Sequence, residues 1–336
     1  MQRGVSLTPY VALARTELDS QMPKNESHPG LVSIVLPTYN GAKYLRRSIA
    51  SCLGQTHTNL ELLVVVDGST DETDAVLLDC TDPRLKVVRH EMNRGLPEAL
   101  NTGFAHSKGE YLTWTSDDNW YAPEAVEEMV RFLRNHPRVA LVYTDLYLVD
   151  ATGCVLERLR VLPADHLTSQ PWNGIHACFL YRREVYETIG DYRPWARLAE
   201  DYDYWLRTAE RFKIAPHHRA LYYYRQHGGS LTGVRGRYAA SRQILRIRRR
   251  RRWMSLRDYL RWSAYLDVDE AFWSWQQGNV QRTRCKGLSG LVKNPRNVRN
   301  LGLVSILTEA FLGPHLAGYS RRAGRSFLRR FSSTTD

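Results

Sequence analysis

The sequence predicts an α/β protein with a mainly parallel β-sheet flanked by helices. From residue 31 onward, short apolar runs alternate with amphipathic stretches, which is the order of elements in a parallel sheet covered on both faces. Polar segments follow three of the apolar runs, and two of these segments carry acidic residues. Because ligands bind at the carboxyl ends of the strands in such sheets, these segments are the candidates for the functional site.

Five apolar runs predict the strands, and the stretches between them predict helices. We expect strands at residues 32–36, 62–66, 85–89, 111–114 and 139–143. We expect helices over residues 42–53, over residues 69–78 behind a capping box of Ser69 and Glu72, over residues 97–106, and after Pro123. Residues 1–30 are polar and aperiodic, with no apolar signal-peptide core, and are interpreted as a flexible arm.

Positive charge is concentrated in the last third of the chain. The formal net charge is +12, yet residues 240–336 hold 20 lysines and arginines against 6 acidic residues, while the rest of the chain holds 27 against 29. Such a region predicts an anionic partner, either a membrane surface, a polyanion or a nucleic acid. The five cysteines show no metal-binding or redox spacing, so a reducing compartment is favoured.

Carboxylates mark two of the three polar segments that follow the strands. The segments are residues 37–40, residues 67–71 and residues 115–119, and the last contains Asp117 and Asp118. Clustered carboxylates repel one another unless a cation lies among them, and their oxygens suit Mg²⁺ or Mn²⁺. Neither a Walker-type glycine loop nor a G-x-G-x-x-G motif follows the first strand. The pattern therefore favours a nucleotide diphosphate bound through a metal, as in an activated sugar.

Four blocks of sequence, residues 32–40, 61–71, 109–119 and 198–205, resemble family 2 glycosyltransferases of the GT-A fold. The resemblance extends from residue 31 to about residue 232. It implies inverting transfer of a sugar from a nucleotide-diphosphate sugar, with a UDP-sugar favoured, to an acceptor hydroxyl in glycan or polysaccharide biosynthesis. We therefore expect a GT-A-type catalytic domain over residues 31–235 and a basic helical C-terminal region over residues 236–336.

The resemblance also implies the residues of the donor side. Nucleotide binding is implied for Pro37, Tyr39, Asp67, Arg94 and Asp117. Tyr39 would stack on the base, and Asp67 would accept a hydrogen bond from the base ring. Asp118 would be the direct ligand of a divalent cation, Mn²⁺ or Mg²⁺. His227 ends a motif that begins at residue 222, and it could ligate that metal or contact the diphosphate.

The acceptor side is implied by residues 199–205, where an acidic pair opens an aromatic-rich helix. An attacking hydroxyl must lose its proton, and a positioned aspartate can accept it at neutral pH. The resemblance assigns this general-base role to Asp201. Glu200 is interpreted either as a second acceptor contact or as a residue behind the base.

The basic C-terminal region predicts attachment to an anionic membrane surface. Over residues 315–331, apolar side chains and arginines fall on opposite sides of a helical wheel, which is typical of a helix in a membrane interface. The same helix could instead pack on the catalytic domain. The longest apolar stretch, residues 301–313, is too short to span a bilayer. We therefore predict a cytoplasmic protein, peripheral on the inner face of the membrane, that acts on a glycan or lipid-linked acceptor.

Two other classes of function compete with this prediction. A sugar nucleotidyltransferase has a similar sheet, but that class needs a glycine-rich loop after the first strand, and residues 37–41 lack one. A polyanion or nucleic-acid binder could use the basic tail. That reading leaves the acidic segments unexplained, and no nucleic-acid-binding motif accompanies the tail, so we predict no nucleic-acid partner.

Overall fold

A computed structural model describes residues 27–230 and 234–312 of the chain. Most of the predicted N-terminal arm, residues 231–233, and the amphipathic segment 315–331 lie outside the described residues. The predictions for those segments stay predictions.

A mixed β-sheet of nine strands lies at the centre of the described chain. The strands are β1 (His28–Thr38), β2 (Leu60–Asp67), β3 (Leu85–His90), β4 (Gly109–Trp114), β5 (Trp120–Tyr121), β6 (Val139–Val149), β7 (Val155–Leu159), β8 (Phe179–Arg182) and β9 (Lys213–Arg225). Their order is β3-β2-β1-β4-β8-β6-β9-β5, and β7 pairs with β6. Six strands run in one direction, whereas β5, β7 and β8 are antiparallel to their neighbours.

Helices cover both faces of this sheet. The helices of the sheet region are α1 (Ala42–Leu53), α2 (Thr73–Leu78), α3 (Leu96–Ala105), α4 (Ala125–Asn135), α5 (His166–Ser169), α6 (Arg183–Ile189) and α7 (Glu200–Ala209). Alternate residues of β1 serve the two faces: Val35 packs in one apolar cluster with α3 and α7, and Ile34 packs in the other with α1 and α4. This two-sided burial explains why the central strands are apolar at nearly every position.

The five predicted strands and the helix at residues 42–53 are confirmed, but the start of α2 is not where the capping box placed it. The helix begins at Thr73 rather than Ser69. Ser69 accepts a hydrogen bond from the backbone amide of Asn40, at 3.0 Å. Asp71 accepts from the backbone amides of Thr73 and Ala42, each at 3.1 Å. Residues 69–72 therefore tie two loops together instead of capping a helix.

The predicted C-terminal region is helical. It contains α8 (Val234–Arg250), α9 (Leu256–Gln276), α10 (Val280–Lys293) and α11 (Leu301–Leu312). On α11, Leu303, Ile306 and Leu307 pack in an apolar cluster with Ala271 of α9. Between residues 27 and 312, where the chain is described, no helix is long and apolar enough to cross a membrane. The exact division between residues 235 and 236 stays a prediction.

Part of the positive charge of this region is neutralised inside it. Asp267 and Glu270 of α9 are 1% and 0% exposed. Their ion-pair partners are Arg242, Arg282, Lys286 and Lys293. These cations hold the pKa values of both carboxyls below their ordinary range, although burial acts in the opposite direction. The basic excess counted from the sequence is therefore larger than the charge available to an external partner.

Candidate active site

The segment after β4 brings Asp118 against His227, the last residue of the motif that follows β9. Asp118 Oδ2 lies 2.9 Å from His227 Nε2 and 3.4 Å from Ser230 Oγ. His227 Nδ1 accepts the amide hydrogen of Gly229 at 3.2 Å, so a neutral ring donates from Nε2 to the carboxylate. Asp118 Oδ1 is buried and has no hydrogen-bond partner among the described residues. One carboxylate oxygen is thus left for a further ligand.

Asp117 is held by the loop that follows β1. Thr38 Oγ1 donates to Asp117 Oδ2 at 2.6 Å. A Cβ at position 41 would lie 2.0 Å from the same oxygen, so only Gly41 allows this approach. Burial raises the pKa of Asp117 to about 6, and the neighbouring charge of Asp118 adds to the increase. Two carboxyls in one buried corner favour the arrival of a cation.

Asp67, at the end of β2, organises the loop after β3. The side chain is 3% exposed. Oδ1 accepts from His90 Nδ1 at 2.7 Å and from the Arg94 amide at 2.9 Å, and Oδ2 accepts from the Gly95 amide at 2.8 Å. Both oxygens thus already have protein partners, so a base contact would be an additional hydrogen bond. The Arg94 side chain is exposed, so the loop presents a cation at the edge of the sheet.

The loop after β1 is tied to the loop after β2. Pro37 is buried within β1, while Tyr39 is 51% exposed and available for a ligand. Asn40 takes a positive φ of 52° and accepts from the Thr70 amide at 2.8 Å. Its own amide donates to Ser69. These bonds fix the backbone beside Tyr39 and stabilise the strained conformation of Asn40.

The acidic pair at the start of α7 is buried without a cation. Glu200 is 6% exposed, and its Oε2 has no hydrogen-bond partner among the described residues. Asp201 Oδ2 accepts from Asn173 Nδ2 at 2.7 Å, and Oδ1 accepts from the Tyr202 amide at 2.6 Å. Burial raises the pKa of Glu200 to about 7 and that of Asp201 to about 6, and the Asp201 charge further raises the Glu200 value.

The next acid of α7, Asp203, has basic partners, unlike Glu200 and Asp201 on the same helix. Asp203 is also fully buried, but Arg207 donates to it at 3.0 Å and Arg193 lies 3.7 Å away. Asp203 is therefore a structural ion-pair partner. Only the two acids at the N-terminal end of the helix, Glu200 and Asp201, lack a basic partner in the described structure.

The donor-side loops and the acceptor-side segment are in contact. The guanidinium carbon of Arg197 lies 3.7 Å from the position that a Cβ on Gly95 would take. Trp114 at the end of β4 donates to the Tyr192 hydroxyl at 3.1 Å. Leu198, just before the acidic pair, has a positive φ of 74°, a conformation that is costly for a leucine. Strained residues of this kind gather at functional sites in folded proteins.

Three residues that support the site were not predicted. Thr38 and Asn173 bond the carboxyls of Asp117 and Asp201, and His90 bonds Asp67. His90 was detectable, because it is a polar residue at the carboxyl end of the third strand. Asn173 lies in an irregular stretch where no periodicity marks it. Arg225, the arginine within the motif that begins at residue 222, donates to the backbone carbonyls of residues 118 and 151, at 3.0 and 2.8 Å.

The side chains at Asp118 fit a divalent cation in part. Within the described ranges, no group of three or more histidine, cysteine or acidic side chains could hold a metal by itself. Asp118 supplies one carboxylate whose Oδ1 has no partner in the described structure, whereas both ring nitrogens of the neighbouring His227 are engaged in hydrogen bonds. Mg²⁺ in nucleotide sites commonly has one or two carboxylate ligands and takes the rest from phosphates and water. The donor set thus suits a cation that arrives with a nucleotide.

Known proteins with similar sequences are glycosyltransferases. Residues 33–190 match the family described as Glycosyl transferase family 2. An uncharacterized glycosyltransferase of Rickettsia felis is 35% identical over 199 residues, which are 56% of this chain and 32% of that protein. The putative glycosyltransferase EpsE of Bacillus subtilis is 30% identical over 244 residues, 68% of this chain and 85% of EpsE. The chain spans about a third of the length of the first curated relatives it matches.

Solved structures share the fold. The crystal structure of S. aureus TarS 1–349 in complex with UDP-GlcNAc aligns with a TM-score of 0.54 and 19% identity, over 87% of this chain and 88% of that one. Mannosyltransferase PcManGT from Pyrobaculum calidifontis, in complex with GDP-Man and Mn²⁺, aligns with a TM-score of 0.50 and 18% identity, over 94% and 90%. The predicted GT-A-type fold, with its helical C-terminal region, is confirmed.

Proposed function

This chain belongs to glycosyl transferase family 2, and we propose that it transfers a sugar from a nucleotide-diphosphate sugar to an acceptor hydroxyl with inversion. A UDP-sugar is the favoured donor, and a glycan or lipid-linked saccharide is the acceptor. The observation that carries the proposal is the acidic pair of Glu200 and Asp201 at the edge of the sheet: Glu200 is buried, and neither acid has an ion-pair partner in the described structure. Removing a carboxyl from water without such a partner costs stability, and carboxyls of this kind are concentrated at functional sites.

Asp201 acts as the general base in this proposal. Asn173 and the Tyr202 amide fix its two oxygens, so the carboxylate has one orientation toward the acceptor. Burial raises the pKa of Asp201 to about 6, which makes it a stronger base than an exposed aspartate while leaving it ionised at neutral pH. Glu200, with a pKa of about 7, lies beside it and is the nearest group that can share the proton.

Asp118 would hold the divalent cation on the donor side, and His227 would join it as a ligand only if its Nε2 releases the Asp118 carboxylate. The cation, when bound, neutralises negative charge that develops on the leaving diphosphate. The free Oδ1 of Asp118 supports its role as the direct ligand. The Pyrobaculum structural neighbour was solved with GDP-Man and Mn²⁺, which supports the metal, and the TarS neighbour with UDP-GlcNAc, which supports a UDP-sugar.

The remaining donor contacts belong to the loops after β1 and β2. Tyr39, half exposed beside the fixed backbone of Asn40, stacks on the base. Asp67 holds the loop that presents Arg94, and it offers a lone pair to the base ring. Pro37 shapes the turn below the base, and Asp117 supports Asp118 from behind.

The proposed division is a catalytic domain over residues 31–235 and a basic region over residues 236–336 that meets an anionic membrane surface on the cytoplasmic side. Exposed arginines of α9, such as Arg257 and Arg261, support an anionic contact. Each basic residue near an anionic surface contributes about 1 kcal/mol. The apolar side of α11 is packed on its own domain, so membrane insertion is assigned to residues after 312.

A nucleotide-sugar panel tests the proposal. Thermal unfolding is measured with UDP-, GDP- and CMP-sugars, each with Mn²⁺, with Mg²⁺ and with EDTA. Because a ligand of the native state raises stability by mass action, one donor class should raise the unfolding temperature, and only with the metal. Incubation of that donor with candidate acceptors should release the nucleoside diphosphate. Release of pyrophosphate from UTP and a sugar phosphate would instead identify a nucleotidyltransferase and overturn the proposal.

A further inference from the structure

A basic pocket lies beside the acceptor segment, between α8 and the 3₁₀ turn Pro194–Ala196 that precedes α7. Its volume is about 420 Å³, and it is lined by Trp195, Gln243, Arg246, Arg249, Arg250 and Tyr259. The pocket is outside the donor and base residues described above. Its lining combines three guanidinium groups with two aromatic rings and one amide, and it contains no carboxylate.

The wall of the pocket is built by direct bonds between the turn and the helix. Gln243 Nε2 donates to the backbone carbonyl of Trp195 at 2.5 Å. The Arg250 guanidinium lies 4.6 Å from the centre of the Trp195 ring, a cation–π distance. The ring is nevertheless 40% exposed. Trp195 is thus fixed at its backbone and along its ring while one surface of it faces the pocket.

The arginines from residue 242 to residue 251, in the C-terminal part of α8 and just beyond it, fall into two groups. Arg242, Arg248 and Arg251 are used internally: they bond Asp267 and Glu270, the carbonyl of Leu167, and Glu210. The pocket arginines differ, because Arg246, Arg249 and Arg250 have no carboxylate within 4.0 Å anywhere in residues 27–230 and 234–312. Arg246 has only a 3.5 Å contact to Gln243, and Arg249 only a 3.4 Å contact to the Met254 carbonyl.

Three cations around one cavity repel each other, and an anion with two or more charges relieves that repulsion. Guanidinium forks bind phosphate oxygens through paired hydrogen bonds, and an aromatic ring beside them accommodates the attached sugar. A single carboxylate would compensate one of the three charges. The chemistry of the pocket therefore suits a phosphate or diphosphate group.

The turn that lines the pocket leads directly into the segment that carries the acceptor-side acids. Trp195 stands five residues before Glu200 in the sequence. The buried Ala196 accepts from the Ala199 amide at 2.9 Å, which joins the turn rigidly to the start of α7. The donor residues Asp67 and Asp118 follow β2 and β4, on other segments of the chain. A phosphate in this pocket is thus joined to the segment that carries the base.

We propose that this pocket is a subsite for a phosphate or diphosphate group carried by the acceptor. The enzyme would recognise a phosphorylated glycan by this charge, while Asp201 accepts the proton of its hydroxyl. This inference rests on the proposed function, since it names the class of acceptor for the same site.

The binding test uses Arg246→Gln/Arg250→Gln and a matched control, Arg296→Gln/Arg299→Gln, which removes two exposed arginines from another surface. Titration calorimetry with inorganic pyrophosphate in EDTA, where a metal-dependent donor site is silent, should show binding to the wild type and the control. The pocket variant should bind at least about 10-fold more weakly, since a hydrogen bond to a charged group typically contributes that much. Equal binding by the pocket variant, or no binding by the wild type, would overturn the proposal.

A transfer test separates the acceptor from other sources of phosphate. Glucose, galactose and N-acetylglucosamine are compared with their 1-phosphates as acceptors, and hydrolysis of the donor without acceptor is measured alongside. The phosphates should be the better substrates, and the pocket variant should raise their KM at least about 10-fold while donor hydrolysis stays unchanged.

Three results contradict the inference or its premise in distinguishable ways. No donor turnover by the wild type would contradict the proposed function itself. Normal donor turnover with no preference for phosphorylated acceptors would overturn the subsite alone. If the pocket variant loses co-sedimentation with phosphatidylglycerol vesicles but keeps the wild-type KM for the sugar phosphates, the pocket binds membrane lipid and the acceptor assignment is wrong.

Discussion

Two pairs of buried acids in this molecule have opposite surroundings. Glu200 and Asp201 begin α7 at the sheet edge, and no basic side chain pairs with them in the described structure. Asp267 and Glu270 lie in the middle of α9, where two arginines and two lysines surround them. Both pairs are removed from water, so the difference lies in compensation rather than in burial.

The pKa values show the consequence of that difference. At the α7 pair, burial outweighs the backbone hydrogen bonds and the charge of Arg197, and it raises the pKa of Glu200 to about 7. At the α9 pair, hydrogen-bonded cations outweigh burial and lower the pKa of Glu270. Burial alone therefore does not mark a functional acid, whereas burial without compensation does. The α9 pair connects helices through its ion pairs. The α7 pair, which has no such partners, can accept a proton.

The largest expected effect is at Asp118 on the donor side. Its Oδ1, like Glu200 Oε2 on the acceptor side, has no hydrogen-bond partner in the described structure. Asp118→Asn removes the proposed metal ligand, and kcat/KM for transfer should fall on the order of 10³-fold, since such a cation provides several kcal/mol. The unfolding midpoint should match that of the wild type. Asp74→Asn, which removes an exposed acid, is the control and should transfer normally. Full wild-type activity in excess EDTA would contradict the metal assignment.

The second-largest expected effect is a loss of stability, and it tests the pair of Asp267 and Glu270. Glu270→Gln leaves Arg242, Arg282 and Lys286 around a neutral amide, and urea unfolding should show a loss of about 3 kcal/mol in the free energy of unfolding. Below its lowered unfolding midpoint, the variant should retain wild-type kcat/KM. Glu309→Gln, on a helix face without a described ion pair, is the control. Lost activity in a fully folded Glu270→Gln protein would show that this pair is not purely structural.

Asp201→Asn is expected to lower transfer by about 10²-fold, the usual contribution of general-base catalysis. Donor affinity, measured by calorimetry with Mn²⁺, should be unchanged because the base faces the acceptor. Asp203→Asn is the informative comparison on the same helix, and it should destabilise the fold through Arg207 while sparing the chemistry in the folded fraction. Wild-type transfer by Asp201→Asn would move the base role to Glu200.

The smallest effect is a difference in the pH dependence of stability. Because the pKa of Glu200 is raised, its contribution to the free energy of unfolding is fully present below pH 4.5, which is its ordinary pKa. That contribution is lost as the pH rises through about 7. Glu200→Gln should therefore be more stable than the wild type at pH 8, by up to about 2 kcal/mol, and similar near pH 4.5. The lowered pKa of Glu270 has the reverse sign, so Glu270→Gln should be least stable relative to the wild type at neutral and higher pH. Parallel pH curves for the two variants would remove the distinction between the pairs.

The sequence predicted the central sheet and the outline of the site because both are local patterns. Apolar strand runs identified β1 to β4 and β6, and the acids after them lie where the sheet ends. The four-residue β8 was not predicted, because it has no periodicity and its position between β4 and β6 depends on long-range pairing. The bond from Asn173 to Asp201 joins residues 28 positions apart, and no local rule connects them.

Charge was the property that the sequence described least well. The excess of arginine after residue 240 is plain in the composition, but composition does not show which arginines are paired. Arg242 reaches buried acids 25 and 28 residues further along, whereas Arg246, one helical turn away, faces an open pocket. Only the packing of α8 against α9 separates these two roles. A count of net charge therefore overestimates what is available to a membrane.

The pH profile of transfer tests most directly whether the uncompensated pair supplies the base. With saturating metal, kcat/KM of the wild type should rise with pH through about 6, as Asp201 ionises. Glu200→Gln should leave the rise near this pH, because Glu200 titrates above Asp201 and is neutral where Asp201 ionises, whereas Asp201→Asn should remove the acidic limb from the residual activity. An unchanged acidic limb in Asp201→Asn, or no acidic limb in the wild type, would contradict the assignment of the base to this pair.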